Sequence, residues 1–79
     1  MSFLHLVLKG KYYDQILAGT KTVEYRDNTP FWRKRIFKTP RLLYVTFYRG
    51  YTNTTISFHI EKIVDVDPIQ IHLGERLKE

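Results

Sequence analysis

The sequence predicts a small, mostly β domain of the α+β kind: five or six short strands with one or two short helices, closed into a partial barrel. Three observations carry this expectation. Strand-length runs with apolar and polar residues interleaved recur along the chain, at 2–8, 21–26, 42–48, 54–64 and 69–73. A single early segment, with Tyr12, Tyr13, Ile16 and Leu17, has clear helical spacing, which excludes a doubly wound parallel sheet. The chain has 79 residues, enough for one domain, residues 1–79.

Each element follows from its own pattern. In 2–8, Leu4, Leu6 and Leu8 share one face, and Phe3, His5 and Val7 the other. The helix after it is about two turns long, so it needs tertiary packing to persist. Gly19 ends it as a residue free to take positive φ. In 21–26, alternation places Lys21, Val23 and Tyr25 opposite Thr22, Glu24 and Arg26. Asp27 to Pro30 form a turn. Residues 31–38 are basic and aromatic, with room for one helical turn before Pro40 breaks it. The run 42–48 is rich in residues that favour a pleated surface. After the turn at Arg49-Gly50-Tyr51-Thr52-Asn53, residues 54–64 point Ile56, Phe58 and Ile60 inward. Their pattern slips near Lys62-Ile63, as at a bulge. Residues 65–68 turn the chain into a last strand, 69–73, and Gly74 with the charged 75–79 is expected to fray.

Composition narrows the function classes. Hydrophobic residues are 43% of the chain and charged residues 27%, values of a folded soluble domain. So short a chain has a thin core, and Trp32, six Tyr and five Phe must supply much of its burial. There is no cysteine, hence no disulfide and no thiolate to bind metal or attack a substrate. Residues 1–8 lack the basic start, long apolar stretch and cleavage site of a signal peptide. No apolar run approaches the roughly 20 residues that span a bilayer. The expected location is therefore the cytoplasm, with no membrane partner. His5, His59 and His72 lie on three separate predicted strands, without the spacing of a metal site, so neither metal nor cofactor is expected. The net charge of +5 is uneven: residues 26–50 carry seven basic residues against one acidic, a block at +6 that attracts polyanions.

Three clusters are candidates for chemistry. The first is Gly19-Thr20-Lys21-Thr22-Val23-Glu24-Tyr25-Arg26. Glu24 and Arg26 share a strand face and can form a charge-assisted pair, while Lys21 sits at the helix–strand junction. Such a set can bind phosphate, or hold a carboxylate as general base beside a lysine. The plain alternative is a surface salt bridge worth about 0–1 kcal/mol. The second is Phe31-Trp32-Arg33-Lys34-Arg35, where rings can stack on bases and the cations answer phosphates. Its alternative is that Trp32 plugs one end of the barrel and Arg33, Lys34 and Arg35 are solvated. The third is Tyr48-Arg49-Gly50-Tyr51, where glycine lets a ligand approach the backbone beside Arg49 and Tyr51, unless it is an ordinary hairpin turn.

The stretch from Tyr12 to Asp27 resembles the signature of the ASCH (activating signal cointegrator homology) family, a short helix ending in Gly-x-Lys-x-x-Glu-x-Arg. Gly19, Lys21, Glu24 and Arg26 fill its four positions. Thr29-Pro30-Phe31-Trp32, Arg35, Arg49-Gly50-Tyr51 and Ile71-His72-Leu73-Gly74 are similar to small members, often from phages or prophages. The resemblance implies a PUA-like barrel with a cleft beside it, lined by Lys21, Glu24 and Arg26. It implies RNA or a modified nucleotide as ligand. It also brings in activities reported within the family, hydrolysis of N-acylated cytidine and cleavage of RNA. In the amidohydrolase type, a lysine matching Lys21 works with a threonine where this chain has Glu24.

Three functions therefore stand open. The leading expectation is an RNA- or nucleotide-binding module, with Lys21 and Arg26 answering phosphate and Glu24 a base edge. The second is a small hydrolase with Lys21 and Glu24 as its catalytic acid–base pair. The third is a protein-interaction module, such as a phage factor directed at a host protein.

Overall fold

In the computed structural model, residues 3–37 and 43–77 are described. They form β1 (Phe3–Leu8), α1 (Gly10–Leu17), β2 (Val23–Arg26), α2 (Pro30–Ile36), β3 (Tyr44–Arg49), β4 (Thr55–Val64) and β5 (Ile69–Arg76). The five strands make one curled sheet in the order β1-β3-β4-β5-β2, a half-barrel carrying two short helices. The expected α+β class and strand number are those observed.

Alternation decides which side of β1 is buried. Leu4, Leu6 and Leu8 enter the core, while Phe3, His5 and Val7 face outward. The strand runs parallel to β3, with Phe3 opposite Tyr44 and Leu8 opposite Arg49. That register lines the three leucines up with Val45, Phe47 and the end of β3 on the core side. The other pairings are antiparallel. The ladder between β4 and β5 shifts register twice, between Phe58 and Lys62. Such irregularities bend a strand and increase its twist, which lets five strands curl. The slip expected at Lys62-Ile63 thus falls slightly earlier.

Both helices close onto the sheet through few side chains. Tyr13 and Ile16 of α1, three residues apart on one face, join the core, as does Ile36 of α2. Thr29 caps α2 by accepting a hydrogen bond from the Trp32 amide at 3.4 Å, and Pro30 occupies the first turn, where its missing N–H costs nothing. These two residues make 30–36 a true helix, where the basic, aromatic pattern suggested only one turn.

Two boundaries differ from expectation. The strand foreseen from Lys21 begins at Val23, because the Lys21 amide is still engaged by the end of the first helix, donating to the Gln15 carbonyl at 3.2 Å. The last strand, foreseen to end at Leu73, continues to Arg76. Arg76 pairs with Phe58, and the Leu77 amide donates to the Ser57 carbonyl at 2.9 Å. Gly74 therefore lies inside a strand rather than at a frayed end, packed against the His59 carbonyl. Leu42 of the third predicted strand, Lys38 and Pro40 lie outside the described residues.

Candidate functional site

The order of the sheet leaves β1 and β2 as its two edges, and among the described residues no ladder joins them. Across that seam lies a cleft of about 400 Å³, lined by Val7, Leu8, Lys9, Tyr12, Lys21, Glu24, Tyr25 and Arg26. Local backbone geometry delivers the two cations and the carboxylate to it. Gly19, at φ 81°, reverses the chain out of α1. The Thr20 and Lys21 amides then both donate to the Gln15 carbonyl, at 3.0 and 3.2 Å, and the Thr20 hydroxyl donates to it at 3.1 Å. This places Lys21 one step before β2, facing Glu24.

Glu24 is the centre of the arrangement, with its side chain only 6% exposed. Oε1 accepts from the Tyr25 amide at 2.9 Å and lies 3.2 Å from Lys21 Nζ. Oε2 lies 3.2 Å from Arg26 Nη1, whose hydrogen bond goes to the Tyr25 carbonyl at 2.7 Å. Oε2 thus has charge compensation but, among the described residues, no hydrogen bond. A buried acceptor without a donor costs about 1–3 kcal/mol, more when charged, and here the two flanking cations offset that cost.

The cations are held as firmly. Lys21 Nζ sits between two rings, 5.6 Å from the centre of Tyr12 and 5.5 Å from that of Tyr25. Arg26 spans the seam, its Nη2 reaching the Val7 carbonyl on β1 at 3.5 Å. Its guanidinium also lies 5.2 Å from the Trp32 ring centre, a cation–π distance. Beyond it is a second cavity of about 310 Å³, lined by Tyr25, Arg26, Asp27, Trp32 and Pro68. Trp32 is half-buried and packs against the core, so its ring is a fixed wall.

Lys21, Glu24 and Arg26 are therefore brought together, and Trp32 adjoins them through Arg26. The other sequence candidates line neither cavity. Arg33 donates to Asp65 at 2.6 Å and to Asn28 at 3.1 Å, tying α2 to the β4–β5 turn. That bond lowers the Asp65 pKa and raises that of Arg33. Arg49 makes a two-pronged contact with Asp14, both bonds 3.2 Å, which lowers the Asp14 pKa in the same way. Arg35 stacks over Phe31 at 4.7 Å, Lys34 is exposed, and Tyr51 is 98% exposed on its turn.

Tyr12 and Tyr25 are lining residues that the sequence pattern did not single out. Tyr12 and Tyr13 are about 100° apart on a helix, so only one can face the core. Tyr13 does, and Tyr12 is left for the cleft. Among the described residues, no group of three or more His, Asp or Glu side chains is placed to hold a metal ion. Nor is any described helix long and apolar enough to cross a membrane. No protein-family model matches this chain, and no match was found among curated proteins.

Proposed function

We propose that the seam cleft binds RNA or a nucleotide, with Glu24 reading a base edge and Lys21 and Arg26 answering phosphate. The observation that carries the proposal is the cleft wall itself, in which the Glu24 carboxylate stands between Lys21 and Arg26 beside the rings of Tyr12 and Tyr25. A base edge bearing an amino or imino N–H is the kind of donor that a carboxylate in this wall accepts from. Tyr12 and Tyr25 offer rings to the base, and Lys9, Lys21 and Arg26 outweigh the single carboxylate in charge. The resemblance of Gly19, Lys21, Glu24 and Arg26 to the ASCH signature supports the same ligand class, and the curled half-barrel is compatible with the PUA-like barrel that this resemblance implies.

The short contact between Lys21 Nζ and Glu24 Oε1 also favours a second reading, in which the two act as an acid–base pair on a nucleoside or phosphodiester. One experiment addresses both. Ribonucleotides, modified ribonucleosides and short single-stranded RNAs are screened by thermal shift, and the samples are then assayed for turnover. The binding reading expects a ligand that raises the melting temperature, an effect lost in Lys21→Ala, with no product formed. Turnover abolished by Lys21→Ala would replace it with the hydrolase reading. An unchanged melting temperature together with no turnover of any compound would reject both.

A further inference from the structure

We infer that the ligand occupies both cavities, so that the protein selects at least a dinucleotide and stacks a second base against Trp32. This rests on the proposed nucleotide reading and specifies the size of its ligand. The two cavities share the Tyr25–Arg26 step as a common wall. Arg26 faces both: one side of its guanidinium serves Glu24 and the Val7 carbonyl, and the group as a whole packs over the indole of Trp32. A phosphate linking two bases would lie against the one cation common to both cavities.

The second cavity has the chemistry of a base site rather than a phosphate site. Its walls are two aromatic rings, a guanidinium and a proline, with Asp27 as its only carboxylate. Asp27 repels phosphate but accepts from the N–H groups of a base edge. The cavity is also rigid before any ligand arrives. Trp32 is set by core packing and by the cap from Thr29. The loop carrying Pro68 is bound to the Asn28 segment, through the Asn28 amide to Asp67 at 3.4 Å and Asn28 Nδ2 to the Val66 carbonyl at 2.9 Å. Arg33, bonded to Asp65 and Asn28 together, locks the same junction. Arg33 therefore acts as a positioning residue for this wall and not as a phosphate contact.

Trp32 is the only tryptophan and forms a wall of this cavity, so its fluorescence reports on contacts made there. The full chain is titrated with the four ribonucleoside 5′-monophosphates and the sixteen ribodinucleotides, following heat and Trp32 emission. At least one dinucleotide is expected to bind about fivefold or more tighter than its component monophosphates, the gain from even weak base stacking, and to quench Trp32. Trp32→Leu should remove that gain, read as the ratio of dinucleotide to monophosphate affinity in the same variant, whereas Trp32→Phe should keep most of it. If Trp32→Leu does not fold, the wild-type quench still decides. Monophosphate binding with no dinucleotide gain, or a gain without change in Trp32 emission, overturns this inference and leaves the nucleotide reading standing. Failure of every compound to bind overturns both.

Discussion

A carboxylate as enclosed as that of Glu24 is a structural expense unless its charge is met. Burial alone would penalise the ion by several kcal/mol, and Lys21 and Arg26, at 20% and 16% side-chain exposure, supply the compensation. The three are consequently interdependent. Glu24→Ala leaves two neighbouring cations on the β2 side of the seam without their shared carboxylate. Removing one member of a fully buried pair costs about 3–5 kcal/mol, and the partial exposure of these cations puts the expected loss at the lower end of that range. Urea unfolding measures it directly. An unchanged midpoint would mean that the trio is solvated and carries no structural weight. The residue types at this site were legible in the sequence, because helix-ending glycine, lysine, glutamate and arginine stand within eight positions. Their convergence on one cleft was implied by the family resemblance, but the local route to it was not readable from alternation. Alternation put Lys21 on the face opposite Glu24, and only the chain reversal at Gly19, which keeps Lys21 out of the strand, lets the two side chains meet.

At the scale of elements, the connection between α1 and β2 sets the site. Gly19 holds φ 81°, with nothing within 4 Å of where a Cβ would stand, so the demand is one of backbone conformation and not of space. Gly19→Ala is expected to cost about 1–2 kcal/mol, the penalty for a side chain in the left-handed region. It should also weaken ligand binding by displacing Lys21, whereas a substitution at the exposed Tyr51 should do neither. Two exposed ion pairs tie other elements together: Arg33 to Asp65, and Arg49 to Asp14. In each, the arginine hydrogen bond holds the carboxylate below its ordinary pKa of 3.8. A depressed folded pKa contributes stability above the unfolded value, and that contribution is lost as pH falls through the folded one. The stability advantage of wild type over Asp65→Asn is therefore expected at neutral pH and should shrink below about pH 4. Urea midpoints at pH 7 and pH 3 check this, and an advantage that persists at pH 3 would contradict it. The sequence offered Arg33 and Arg49 as ligand contacts. It could not show that Asp65 and Asp14, 32 and 35 positions away, are brought beside them by the sheet.

For the whole molecule, the half-barrel explains why the site lies where it does. A sheet in the order β1-β3-β4-β5-β2 that curls without joining its ends leaves two edges facing a gap. Bare edges invite pairing with other chains, and here Arg26 bridges from β2 to the Val7 carbonyl on β1. The strands, the early helix and the mostly β class were readable because each rests on local residue pattern: alternation, helical spacing, or the run of β-favouring residues in β3. The strand order was not, since it depends on which distant strands pair. The extension of β5 to Arg76 was missed for a related reason: its charged residues look like a tail until Phe58 and Ser57 are seen beside them.

The central claim is that the seam cleft engages phosphates as well as a base, and the salt dependence of RNA binding tests it most directly. Labelled single-stranded RNA is titrated with the protein at about 50 and about 200 mM monovalent salt. If Lys9, Lys21 and Arg26 each neutralise a phosphate, counterion release weakens binding about twentyfold across that range. No binding at the lower salt, or an affinity that ignores the change, would contradict the account.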